Sequence, residues 1–194
     1  FLNAGLARTP DSAQALAAFS IAASLAWLII SPSQNLHQAV MVFGRSRRDQ
    51  AQMKKFSLGY ALIASSILLV FAFTPIGPLV LRGGVGIPSN LLTPTLISMR
   101  ILALLPLVLA WQDYNIGLLL LARSTGLVGL SKVFNLLITV AFVLLFSHRF
   151  VAPAVAPLAQ LVGFTCSGFI LHLGRVRGRN IRAGSEKHVA SVTV

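Results

Sequence analysis

The sequence predicts an all-α membrane protein, a bundle of about five transmembrane helices, and three observations predict it. Hydrophobic residues make up 56% of the 194 and charged residues only 10%, whereas a soluble domain carries about 25% charged residues, mostly on its surface. The apolar residues gather into blocks about 20 or more long, the length that crosses a bilayer core, with short Gly-, Pro- or Arg-containing breaks between them. The basic residues sit in those breaks, and successive breaks alternate between rich and poor in Lys and Arg.

The first block covers about 11–43. As one straight helix it would be about 50 Å long against a hydrocarbon core of about 30 Å, so it must tilt, bend or project. Pro32 supplies the bend by removing a backbone donor, and the polar run Ser31, Ser33, Gln34, Asn35, His37 and Gln38 surrounds it. Such a run is costly against lipid, which directs it to a protein interior, a watery cavity or the membrane surface. The basic loop Gly44-Arg45-Ser46-Arg47-Arg48-Asp49, with Lys54-Lys55, precedes a second span at about 56–73. A third span at about 92–122 is again overlong and interrupted by Pro94 and Pro106. The fourth and fifth follow at about 126–147 and 151–173, and 176–194 reads as a basic, disordered tail.

Charge sets the orientation. Arg45, Arg47, Arg48, Lys54, Lys55, Arg123, Lys132, Arg175, Arg177, Arg179, Arg182 and Lys187 fall on one side, and Arg8, Arg82 and Arg149 on the other. Five spans with the C-terminus in the cytoplasm satisfy the positive-inside rule, and a multi-pass protein of the cell (inner) membrane is expected. Four or six spans would put a basic cluster on the wrong side. The chain opens Phe1-Leu2-Asn3 with no Met and no basic n-region, so no signal peptide is expected. An upstream helix, truncated here and ending near Phe1 to Ala7, would bring the count to six.

The net charge of +12 would suggest nucleic acid in a soluble protein, but no aromatic residues interleave the basic ones as a base-stacking surface needs. Membrane lipids of an anionic leaflet are the expected partner, not nucleic acid. The single Cys166 excludes an internal disulfide, and no His/Cys cluster predicts a metal. No Ser–His–Asp order, HExxH, GxGxxG or phosphate-loop signature occurs, so neither an enzyme nor a cofactor is expected.

Candidate site residues come from polar groups inside apolar blocks. Asp113, flanked by Gln112 and Asn115, lies deep in the third block, where a carboxylate must face a cavity, meet a cation or hold its proton. Two roles stay open for this trio: lining a substrate cavity, or hydrogen bonding between helices. Arg100 lies too far from Asp113 along one helix to pair with it; it either snorkels to the interface or offers a cation to an anionic substrate. Around Pro32, with Gln34 and Asn35, the alternatives are an unwound segment offering backbone groups to a ligand and a plain kink filled by Ser hydroxyls. Pro106 is the second kink candidate. Gly163, Gly168, Gly126 and Gly129 suggest close helix packing.

This order of features resembles one lobe of a transporter of the multidrug, oligosaccharidyl-lipid and polysaccharide (MATE-like) flippase superfamily, most closely the progressive ankylosis protein family. The resemblance rests on the overlong first helix leading to Val42-Phe43-Gly44-Arg45-Ser46-Arg47-Arg48-Asp49, and on Lys55-Phe56 and Phe73-Thr74-Pro75 bounding the next. Leu96 to Pro106 with Met99-Arg100-Ile101, and Leu119 to Arg123 before two more spans and a basic tail, complete it. It covers roughly 1–182 and looks most like the C-terminal lobe. It implies twelve helices in two six-helix lobes around a central cavity that opens alternately to each side. The missing second lobe of the same chain would then be a partner. Members similar to the ankylosis protein export anionic metabolites such as pyrophosphate and citrate, while other branches move drugs or lipid-linked saccharides. Arg100 matches an arginine position of the family; Asp113 is not carried over. Against this transporter reading stands a non-transporting membrane scaffold.

Overall fold

A computed structural model gives the fold over residues 12–146 and 152–192, with side chains described for 13–146 and 152–177. The suggested helix end at Phe1–Ala7, together with Arg8 and Arg149, lies outside those residues. The described residues are helical throughout their regular structure. In order they form α1 (Ser12–Ile30), a 3-10 turn (Ser31–Asn35), α2 (Leu36–Phe43), α3 (Arg47–Phe73) and the short α4 (Ile76–Leu79), which runs into a π turn at Val80–Gly84. Then come α5 (Ser89–Leu102), α6 (Leu105–Leu121), α7 (Thr125–Phe146) and α8 (Ala152–Val192). Five stretches are long and apolar enough to cross a membrane: Ala13–Phe43, Arg47–Phe73, Ser89–Leu121, Thr125–Phe146 and Ala152–Arg177. The chain is an integral membrane protein.

Small residues set the packing. Ala15, Ala18, Ala22 and Ala26 recur every three or four residues along α1 and are buried, and Ala61, Ala64, Leu68 and Ala72 do the same along α3. Lipid and Leu are equally apolar, so helices in a bilayer gain by close backbone approach, which small side chains permit. The resulting core joins Ala22, Ala26 and Ile30 of α1 to Leu68 and Ala72 of α3, and to Met99, Leu102, Leu105 and Leu109 around the α5–α6 break. Gly117 fits the same logic, because a Cβ there would lie 2.6 Å from the Val40 Cβ and 2.8 Å from the His37 carbonyl oxygen of α2. A Cβ on Gly163 would meet Thr139 of α7, and one on Gly168 the Trp111 ring of α6. Gly126 and Gly129 have nothing within 4 Å of such an atom among the described residues, so packing among those residues does not account for them.

Each proline inside a helix removes the donor that would reach the carbonyl four residues back. Leu28 O, freed by Pro32, accepts from the Ser31 hydroxyl at 3.2 Å. Asn90 O, freed by Pro94, accepts from Gln14 Nε2 of α1 at 2.7 Å. Pro153 O, freed by Pro157, accepts from the buried Ser98 hydroxyl of α5 at 2.6 Å. Beside the first break, Ile29 O accepts from the Tyr60 hydroxyl at 2.7 Å and Ile30 O from Ser33 Oγ at 2.7 Å. At the α5–α6 break, the Ser65 hydroxyl of α3 donates to Ala103 O. Without water to solvate them, these carbonyls would each cost several kcal/mol if left alone, so the polar residues sit where the prolines require them.

Candidate functional site

Helix α3 begins well before the apolar run that starts at Phe56. The reason is a capping box: Asp49 N donates to Ser46 Oγ at 3.1 Å, and Ser46 N donates to the Asp49 carboxylate at 3.2 Å. This local device turns the basic loop residues Arg47 and Lys54 into members of one helix face, with Gln50 and Ala51 between them at three- and four-residue spacing. The same spacing on α6 aligns Trp111, Tyr114, Asn115, Leu118, Leu119 and Ala122. On α8 it aligns His172 and Arg175.

These faces, with Ser124 and Gly174, line an open cavity of about 570 Å³ at the basic end of the bundle, flanked by α3 and α8 and floored by α6. Arg47, Lys54 and Arg175 bring three cations to it, and among the described residues no carboxylate lines it. Asp49 is close in sequence, but its carboxylate is engaged by Ser46. Tyr114 ties the walls together: its hydroxyl donates to Gln50 O of α3 at 3.1 Å, and the Arg175 guanidinium of α8 lies 5.8 Å from its ring centroid. Gln50 in turn donates through Nε2 to Gly44 O at 3.0 Å. Trp111 meets Phe169 edge-on, with centroids 5.1 Å apart, and approaches His172 at 6.0 Å. Three positive charges at one cavity attract an anion and repel a cation.

The residues singled out from sequence separate in space. Asn115 lines the cavity, is wholly buried, and donates from Nδ2 to Trp111 O at 2.7 Å while its Oδ1 has no partner among the described residues. Gln112, also wholly buried, turns to α8 and donates to Ser167 Oγ at 2.7 Å, an interhelical bond. Asp113 is buried at 9% exposure and stands one turn before Gly117, the contact point with α2. No hydrogen bond or ion pair holds its carboxylate among the described residues; Lys132 of α7 acts on it only through space. Arg100 is at the opposite end of α3 from the cavity, donating to Ala72 O at 3.4 Å with its guanidinium 4.9 Å over the Phe73 ring. Gln34 and Asn35 are exposed on the 3-10 turn, Pro32 with them, and Pro106 is buried in the first turn of α6. Sequence reasoning missed Arg47, Lys54, Arg175, Trp111 and Tyr114 as a group. The readable signal was the repeat of Arg47, Gln50 and Lys54 on one face once Ser46 is recognised as the cap.

The family model of progressive ankylosis protein (ANKH) matches residues 1–181. The chain belongs to the progressive ankylosis protein family. No curated protein and no solved structure matches it. The match runs through all five spans and through every cavity-lining residue, so this progressive ankylosis family member carries the cavity within its family region.

Proposed function

We propose that this chain is one lobe of a secondary transporter that exports an anionic metabolite of the pyrophosphate or citrate kind by alternating access, within a MATE-like two-lobe architecture. The observation that carries the proposal is the cavity at the basic end, where Arg47, Lys54 and Arg175 converge and no described carboxylate lines the wall. In this reading the cavity is the station that holds the anion on the cytoplasmic side. Arg100, at the other end of α3, marks the far side of the same route. Gln112 does not separate this reading from a scaffold, since its bond to Ser167 joins α6 to α8 and is structural in either case.

The test is anion flux by the full-length protein in proteoliposomes. Arg47→Gln, Lys54→Gln and Arg175→Gln are each expected to lower flux by about ten- to a hundredfold, the loss of one charge-assisted contact of about 1.5–3 kcal/mol. Arg100→Gln is expected to lower flux without changing anion affinity on the basic side. Unchanged flux in all four variants, with normal membrane insertion, would rule out this route.

A further inference from the structure

The three cations lie at one end of the bundle. Arg47 and Lys54, about two turns apart on α3, precede the apolar run that begins at Phe56, and Arg175 follows the one that ends near Leu173, so all three flank the apolar spans on the side where the basic residues gather. They come from helices on opposite flanks of the cavity and have no acidic competitor in its described lining. Beside them the wall changes character. Trp111, Leu118, Leu119 and Ala122 line the cavity, and Phe169, packed on Trp111, and Leu173 of α8 are 55% and 64% exposed. In a membrane chain, exposed apolar residues of that kind face acyl chains. A cavity with cations just beyond the apolar spans and an apolar flank matches an amphiphilic anion better than a wholly hydrophilic one.

We propose that the phosphate headgroup of an anionic phospholipid, drawn from the leaflet on the basic side, occupies this cavity between Arg47, Lys54 and Arg175 and competes there with the soluble anion. The inference rests on reading the cavity as an anion station and adds a regulator to it: leaflet composition sets how much of the station is free. Tyr114 belongs to this device because its ring and hydroxyl link Arg175 to α3, which holds the two cationic walls at a fixed separation.

The experiment uses the full-length protein in nanodiscs of phosphatidylcholine alone, or with a minor fraction of phosphatidic acid. Two quantities are read: phosphatidic acid retained on the protein by native mass spectrometry, and binding of radiolabelled inorganic phosphate. Wild type is expected to retain phosphatidic acid, and that lipid is expected to weaken phosphate binding at least tenfold. The triple variant Arg47→Gln/Lys54→Gln/Arg175→Gln is expected to lose both signals. Arg45→Gln/Arg48→Gln/Lys55→Gln removes the same charge from exposed neighbours outside the lining and is expected to keep both. Equal losses in the two triples would overturn the proposal in favour of diffuse surface attraction. Cavity-dependent phosphate binding without lipid retention or competition would overturn it while leaving the anion station standing. Loss of cavity dependence for both probes would overturn the two together. If the triple does not fold, Lys54→Gln, an exposed single change, carries the same comparison against Lys55→Gln.

Discussion

Asp113 and Ser98 show how two buried polar residues in one bundle differ in kind. Ser98 is wholly buried, and its hydroxyl meets the one carbonyl that Pro157 leaves without a helical donor. Ser98→Ala is therefore expected to destabilise the protein by about 0.5–2 kcal/mol, the range for interhelical hydrogen bonds in membranes, as read by denaturant titration in detergent. Among the described residues Asp113 has no such bond, only the through-space attraction of Lys132. A buried carboxylate without a hydrogen bond costs stability, so Asp113→Asn is expected to leave the unfolding midpoint unchanged or raise it. A lowered midpoint would mean that Asp113 serves as interhelical glue. Neither outcome was legible from the sequence, which places both residues in apolar blocks but does not say which carbonyl lies across the helix interface.

At the scale of elements, prolines and glycines divide into those the neighbours answer and those they do not. The sequence located the breaks, because a missing N–H is a property of one residue. Their partners, Gln14 for Pro94 and Ser98 for Pro157, lie 76 and 55 residues from the carbonyls they serve and are decided by packing. Around Pro32 the carbonyls of Leu28, Ile29 and Ile30 are met by Ser31, Tyr60 and Ser33. Hydroxyls therefore fill this kink, and no ligand is needed to satisfy it. Glycines separate by test. Gly117→Ala is expected to cost about 1–3 kcal/mol, because its new methyl would press on the Val40 side chain and the α2 backbone. Gly126→Ala and Gly129→Ala, with open space around them among the described residues, are expected to stay within about 0.5 kcal/mol in the same titration. A large loss at Gly126 or Gly129 would point to a second surface packed on α7, whose span is buried over only 11% of its most apolar window.

For the whole molecule, the decisive feature is that charge collects at one end and opens into a cavity rather than onto a flat surface. An anion held there by cations near the membrane surface is screened by salt. Raising NaCl to about 1 M, where the screening length is about 3 Å, is expected to weaken phosphate binding severalfold in a filter-binding assay. A neutral drug or an uncharged saccharide at the same cavity would bind more tightly or unchanged in high salt, since apolar burial is not screened. The salt response thus separates the anion reading from a drug or saccharide cargo.

Hydropathy determined the membrane setting, the helical class and the five long spans, because the cost of placing a side chain in hydrocarbon is summed residue by residue along a segment. Composition likewise gave the basic charge and its gathering into alternate breaks. Only the tertiary structure decided that Arg47, Lys54 and Arg175 line one cavity, that Arg100 stands apart at the far end of α3, and that of Gln112, Asp113 and Asn115 only Asn115 lines that cavity. Adjacent residues on a helix point about 100° apart, so neighbours in sequence take different partners, and residues more than a hundred positions apart share a wall once α6 has packed between α3 and α8.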